Sequence, residues 1–220
     1  MTGNVILAGG SGLVGRQVVN AWHGNGSLEM LHLLLRRPLA VGGGLTTHHV
    51  ASPEDWPNII AGLGGHVAIC CLGTTMKQAG SKAAFIEVDL ELVVRFATAS
   101  KRAGARHFIV ISSVGADATS SNFYLSVKGR VEDELRALGF DRLDIMRPGL
   151  LRGERKGKKR STEAIGIWLS PVMDLLMQGS LQRYRSIDSA VVAHAVINLS
   201  MQSGAGIFIH ENESITALAG

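Results

Sequence analysis

Short, nearly continuous apolar runs at Val5–Ala8, Leu31–Leu35, Val67–Leu72, His107–Ile111 and Leu143–Met146 alternate with longer stretches of helical periodicity. Apolar runs of this kind, bounded by glycine, serine or proline, are the pattern of parallel strands covered on both faces. In the intervening stretches Val14, Val18, Val19 and Trp22 share one helical face. Residues 83–103 predict one long helix stopped by Gly104, and Phe123–Leu138 another stopped by Gly139. Leu45–Val50 predicts a short strand after a Gly42-Gly43-Gly44 turn, and Pro53–Trp56 a helix start or turn. Strand and helix alternate from residue 4 to about 147, which predicts an α/β chain with a doubly wound parallel sheet in three layers. Beyond Pro148 the regularity weakens. Helical patterns at about 162–178 and 188–201 and an apolar Ile207-Phe208-Ile209 are expected to form a small extension on the substrate side, about 150–220, of a single domain spanning 1–220.

The first strand runs into Gly9-Gly10-Ser11-Gly12-Leu13-Val14-Gly15 and then into the first helix. Glycines spaced G-x-x-G-x-x-G between strand and helix permit a sharp turn, a close backbone approach to a pyrophosphate, and tight helix packing. The helix N-terminus directs its partial positive charge at the phosphates. A dinucleotide site is therefore expected here. The second strand ends in Arg36-Arg37, about 20 residues beyond the glycines, where an acidic side chain would take ribose hydroxyls and an arginine suits a 2′-phosphate. The arginines point to NADP(H); a solvated pair of charges closing a strand is the plainer reading.

Composition narrows the classes. In 220 residues, 46% hydrophobic and 18% charged content argues for a well-buried core and against disorder. No apolar run approaches the ~20 residues of a membrane span, and a strand at Asn4 leaves no room for a signal segment. Cys70 and Cys71, adjacent on a strand, point to opposite faces and read as ordinary buried thiols; the expected location is cytoplasmic. The net charge of +4 is concentrated in Arg152, Arg155, Lys156, Lys158, Lys159 and Arg160, so the rest of the chain is slightly acidic, which argues against nucleic acid as a partner. That basic stretch is either a solvated connector or a contact for an anionic substrate or partner. His48-His49 point opposite ways with no acidic residue spaced nearby, so no metal is expected. His194, within an apolar helical pattern, is expected to be packed, and Met173 and Met177 to line core or pocket.

Tyr124 and Lys128 stand at i and i+4 on one helical face. An ammonium beside a phenol favours phenolate, lowering the tyrosine from about 10 toward working pH. Tyrosine can then exchange a proton with a carbonyl or alcohol oxygen during hydride transfer. Ser113, or its neighbour Ser112, leaves the fifth strand where it can hydrogen-bond that oxygen.

Together these residues resemble the short-chain dehydrogenase/reductase superfamily, in its atypical branch with the G-x-x-G-x-x-G turn. Cys70–Thr75, Ser112–Asp117, Ser121–Gly129, Phe140-Asp141-Arg142 and Arg147-Pro148-Gly149 are similar to the Tat-interacting oxidoreductase family and its bacterial relatives. The resemblance implies a Rossmann fold in which Gly9, Gly12 and Gly15 hold the pyrophosphate and Ser11, Leu13 and Val14 line it. It implies Arg36 and Arg37 at the 2′-phosphate, Gly73 and Thr74 beside the adenosine ribose, and Pro148 and Gly149 flanking the nicotinamide. Ser113, Tyr124 and Lys128 are the implied catalytic trio, with Lys128 also on the nicotinamide ribose. The asparagine used by many members in a proton relay is not evident; Asp89 is the nearest polar position by register.

Two functions are consistent with this reading. One is an NADPH-dependent reductase of a small carbonyl compound, or the enzyme of the reverse alcohol oxidation, working as monomer or homodimer. The other is a cofactor-binding sensor or interaction protein with little turnover. A sugar-nucleotide epimerase, which resembles these enzymes, is disfavoured by the short C-terminal portion.

Overall fold

In the computed structural model, which describes residues 4–22, 29–40, 45–153 and 183–220, seven parallel strands form one sheet. They are β1 (Asn4–Ala8), β2 (Leu31–Leu35), β3 (Thr46–Val50), β4 (Gly65–Cys70), β5 (His107–Ile111), β6 (Arg142–Arg147) and, last in the chain, Gly206–Glu211. Two short strands intervene, β7 (Leu151–Arg152) and β8 (Ile187–Asp188), so the last sheet strand is β9. The sheet order is β3-β2-β1-β4-β5-β6-β9, and β7 pairs with β8 separately. The order reverses between β1 and β4, which opens a crevice beyond their carboxyl ends.

Helices cover both faces. Val14, Val18, Val19 and Trp22 of α1 (Leu13–Ala21) and the turn after it bury against Val5, Leu7, Leu31 and Leu33, together with Val192, Val196 and Leu199 of α7 (Ser189–Ser200). The opposite face carries α2 (Trp56–Leu63), a helical stretch from Lys82 to Arg102, and α6 (Phe123–Ala137), over Ile6, Ala68, Phe108 and Ile145. Alternate side chains of each strand thus enter different cores, which is why the strands are apolar throughout.

Several expectations are corrected. The helix at 83–103 is not regular: α4 (Lys82–Ile86) passes through a π turn at Glu87–Glu91 into α5 (Leu92–Arg102). A short α3 (Met76–Ala79) is capped by the Thr75 hydroxyl, 3.2 Å from the Gln78 amide, and the chain ends on α8 (Asn212–Leu218). β4 begins and ends two residues earlier than its apolar run, because Gly65 pairs with Asn4 and Cys71 enters the turn. His194 is exposed on the outer side of α7, whose inner face is formed by its neighbours Val192, Ala193, Ala195 and Val196. The Gly42–Gly44 turn, the basic stretch beyond Gly153, the helical pattern at 162–178, and Met173 and Met177 lie outside the described residues.

At the far edge of the sheet a buried carboxylate fastens three strands. Asp144 of β6 accepts from Nε2 of His107 on β5 and of His210 on β9, each at 2.7 Å, and from the Arg142 guanidinium. Burial pushes its carboxyl up, but these hydrogen bonds outweigh it and hold the group well below the usual carboxylate range.

The turn after β1 separates its glycines by steric need. Gly9 has φ +90, and a Cβ there would fall on the carbonyl of Cys71; a Cβ on Gly15 would fall on the Gly9 carbonyl oxygen. At Gly10 the nearest atom to such a Cβ is 3.5 Å away, in ordinary contact. Gly9→Ala is expected to lose about 3 kcal/mol or more, from backbone strain and overpacking together. Gly10→Ala is expected to stay within about 1 kcal/mol of the unsubstituted protein. Urea unfolding of the two variants checks the contrast.

Candidate active site at the carboxyl edge of the sheet

The crevice is built outward from the Gly9 turn. The Gly12 amide closes the turn on the Gly9 carbonyl at 2.9 Å, and Gly12 caps α1 without any side-chain oxygen. No acidic residue stands in the first turn of α1, so nothing of this chain's own charge competes there for an anion. Ser11 and Gly12 are exposed, Leu13 is half-buried, and Val14 and Gly15 are buried. This is a cradle with backbone and no side chains at its floor, which fits a dinucleotide pyrophosphate. Arg36 and Arg37 are exposed at the carboxyl end of β2, beside β1.

On the other side of β1, β4 leads to Gly73 and Thr74, and here a residue outside the expected site takes a central part. Asp89, 1% exposed, accepts from the Thr74 amide at 2.8 Å and from Lys128 Nζ at 2.7 Å. Lys128 is itself buried on α6. Burial works against its charge, but the Asp89 carboxylate and the Tyr124 phenol outweigh this and raise the lysine above its ordinary value. The ammonium is therefore kept.

Tyr124 lies one turn before Lys128 on the same face of α6 and is 36% exposed. Its ring meets buried Phe85 edge-on with centroids 5.9 Å apart, and Lys128 Nζ is 5.9 Å from the ring centroid. Lys128 was expected beside the phenol and the nicotinamide ribose; its direct hydrogen bond in the structure goes to Asp89.

α6 is seated by its glycine. A Cβ on Gly129 would fall on the Asp117–Ala118 backbone, while Ser126 Oγ donates to the Ala118 carbonyl at 3.1 Å. The Asn122 side chain caps the helix at Leu125. The helix carrying Tyr124 and Lys128 is consequently locked to the loop that carries Ser113.

The structure distinguishes the two serines left open by the sequence. Ser112 is buried and donates to Glu132 Oε1 at 2.6 Å. Glu132, 0% exposed, also accepts from Arg147 at 2.9 and 2.6 Å and from Arg136 at 3.0 Å. Ser113 is half-buried, and the only hydrogen bond of its hydroxyl among the described residues is a long one, 3.4 Å to the Val114 carbonyl.

Past Arg147, Pro148 is buried and the Gly149 amide donates to Asn212 Oδ1 at 2.9 Å. Asn212 Nδ2 in turn donates to the Arg185 carbonyl at 2.7 Å. A Cβ on Gly149 would fall on that same carbonyl, so residues 183–185 cross the Pro148-Gly149 turn in close contact. This crossing hangs Tyr184 over Gly115, with its hydroxyl 3.7 Å from where a Gly115 Cβ would stand. Asp89, Glu132, Asn212 and Tyr184 were not in the expected site. Only Asp89 had a signal, its helical register; the others depend on contacts between distant segments.

The remaining candidates fall away from the crevice. His49 Nε2 lies 3.0 Å from His32 Nδ1 while His48 is exposed, and among the described residues no three His, Cys, Asp or Glu side chains are arranged to hold a metal ion. Cys70 and Cys71 are free thiols; burial pushes Cys70 up to about 12 and raises Cys71 as well.

Comparison with known proteins agrees with this geometry. A family model described as NAD(P)H-binding matches residues 9–200. Protein HTATIP2 of Rattus norvegicus is 31% identical over 220 residues, covering 98% of this chain and 88% of its own. The mitochondrial protein fmp52 of Aspergillus niger is 31% identical over 207 residues, covering 91% and 88%. Among solved structures, the Bordetella bronchiseptica enzyme WbmH in complex with NAD+ aligns with TM-score 0.68 at 13% identity, covering 96% of this chain and 75% of its own. At that identity the likeness is one of fold. The relatives named as mitochondrial overturn the expectation of a cytoplasmic location, which rested on cysteine usage. Buried thiols are shielded from oxidants in any compartment and do not report which one the protein occupies.

The two serines make a direct test of the site's internal wiring. Ser112→Ala removes a donor from a buried carboxylate and is expected to lose about 1–3 kcal/mol. Ser113→Ala is expected to change stability by less than about 0.5 kcal/mol. Chemical denaturation of both variants at neutral pH is the measurement.

Proposed function

The chain belongs to the NAD(P)H-binding family as an atypical short-chain dehydrogenase/reductase, and on that premise we propose that it reduces a small carbonyl compound using NADP(H). The observation that carries the proposal is an exposed Tyr124 one helical turn from an ammonium that Asp89 holds beside the Gly73-Thr74 turn. Gly9, Ser11, Gly12, Leu13, Val14 and Gly15 hold the pyrophosphate through backbone, and Arg36 and Arg37 take the 2′-phosphate. Gly73 and Thr74 border the adenosine ribose, and Pro148 and Gly149 flank the nicotinamide. When bound, the nicotinamide supplies the hydride.

The chain's own part is proton transfer and orientation. Ser113 Oγ donates to the carbonyl oxygen of the substrate, and Tyr124 Oη gives that oxygen its proton. Of the three donors on Lys128 Nζ, one serves Asp89, and the others, which make no hydrogen bond among the described residues, serve ribose hydroxyls. The substrate is a small aldehyde or ketone; an anionic one would be drawn to the basic residues that begin at Arg152.

A second reading is a dinucleotide-dependent sensor or interaction protein with little turnover. The direct Lys128–Asp89 pair favours it, because the lysine then stabilises the fold of the crevice whether or not the phenol reacts. Turnover separates the two.

Charge-assisted hydrogen bonds contribute about 1.5–3 kcal/mol, so NADPH is expected to bind about tenfold or more tightly than NADH. Calorimetric titration measures this, and alanine at both Arg36 and Arg37 should narrow the gap; equal affinities in the unsubstituted protein would remove the NADP assignment.

Tyr124→Phe deletes only the proton donor. It is expected to lower kcat by about 10²–10⁴-fold on whichever carbonyl compound from an aldehyde and ketone panel is reduced. NADPH affinity should remain within about twofold, since the ring and its packing are retained. An undiminished rate would exclude Tyr124 as the acid.

A further inference from the structure

Two helices meet turn for turn at the floor of the crevice. Phe85 and Asp89, four residues apart, face Tyr124 and Lys128, also four residues apart: Phe85 touches the Tyr124 ring and Asp89 the Lys128 ammonium. The π turn at Glu87–Glu91 carries Asp89 inward while Glu87 and Glu91 stay exposed. Asp89 is thereby held between α6 and the Gly73-Thr74 turn that follows β4, with both carboxylate oxygens engaged on opposite sides.

We infer that Asp89 is a positioning residue that clamps the two walls of the dinucleotide crevice, fixing Lys128 with one oxygen and the Thr74 amide with the other. The inference rests on the dinucleotide reading above. Its chemical basis is that both partners are donors. A carboxylate offers acceptors to each, whereas an asparagine offers one acceptor and one NH2, which would set N–H against N–H at Thr74 or at the ammonium. Asparagine at this position is therefore disfavoured by the two-donor environment and not by size. Gly73 belongs to the same unit: its Cα is close enough that a Cβ would stand 3.5 Å from Asp89 Oδ1 and 3.9 Å from Lys128 Nζ. The clamp sets the separation between the ribose-facing lysine and the adenosine-side turn before any dinucleotide arrives. Preorganisation of this kind raises affinity by removing an ordering cost at binding.

The test compares Asp89→Asn, Asp89→Glu and Lys128→Met with the unsubstituted protein, after far-UV circular dichroism has established which fold. Thr74 amide hydrogen exchange is read without dinucleotide, and NADPH affinity by nicotinamide fluorescence. Asp89→Asn is expected to speed Thr74 exchange by about tenfold or more and to weaken NADPH binding by about tenfold. Asp89→Glu, which keeps both acceptors, should retain more affinity than the isosteric asparagine; packing alone would give the reverse order. Lys128→Met should also speed Thr74 exchange, although no hydrogen bond joins the two among the described residues. In the Asp89→Asn background it should speed Thr74 exchange little further.

Unchanged Thr74 exchange in Asp89→Asn, or asparagine equal to the unsubstituted protein in affinity, overturns the clamp. Should Asp89→Asn fail to fold, the Lys128→Met exchange decides alone: no acceleration at Thr74 overturns the coupling. Failure of the unsubstituted protein to bind NADPH or NADH would instead sink the dinucleotide reading, and the exchange data would still decide whether Asp89 joins the two walls.

Discussion

The carbonyl of Cys71 passes so close to Gly9 that no side chain fits between them, and the crevice depends on that contact. It occurs where strand order reverses, so β1 and β4 leave the sheet side by side and diverge only beyond it. Gly15 lets α1 rest on the Gly9 carbonyl, which brings the helix N-terminus to the mouth of the same opening. A Cβ at either position would push helix or strand away and close the approach to the backbone amides. Gly10, outside the spacing of Gly9, Gly12 and Gly15, meets no such demand.

Around this steric constraint the protein buries carboxylates, and each is paired with several donors. Asp89 joins the Thr74 turn to Lys128, Glu132 joins Ser112 to Arg147 and Arg136, and Asp144 joins β5, β6 and β9. Removing one partner from a buried ion pair typically costs about 3–5 kcal/mol, because the charge left behind has no water to turn to. These groups therefore act more as fasteners than as net sources of stability. Two of the three lie at the crevice, so the segments bearing Ser113, Lys128 and Thr74 are fastened before a ligand is present.

Fold alone does not choose the chemistry. The likeness to an NAD+-bound bacterial enzyme at 13% identity extends over 96% of this chain, yet it reaches only the backbone. What is particular to this chain is the floor of the crevice: a phenol backed by Phe85, an ammonium held by a carboxylate, and a serine hydroxyl without a short hydrogen bond. Tyr184, carried in by the 183–185 crossing, stands over Gly115, two residues beyond Ser113. A half-exposed phenol with this support is suited to proton transfer, and the same rigidity suits a protein that only senses the dinucleotide.

The sequence by itself determined the sheet and its covering helices, because strands buried on both faces must be apolar throughout and amphipathic helices must repeat with their own period. It also located the glycine turn, since only glycine tolerates the positive φ at residue 9, and it put Tyr124 and Lys128 on one face through helical geometry alone. These are local rules, readable from neighbours in the chain. Only the tertiary structure decided which serine is spent: Ser112 meets Glu132 across 20 residues, leaving Ser113 free of it. It likewise decided that Lys128 answers first to Asp89, across 39 residues and through a π turn that no periodicity announces. The Asn212 bridge from Gly149 to Arg185 spans still more of the chain. Hydrogen bonds between distant segments depend on where the whole sheet puts its ends, and no local pattern of apolar and polar residues encodes that.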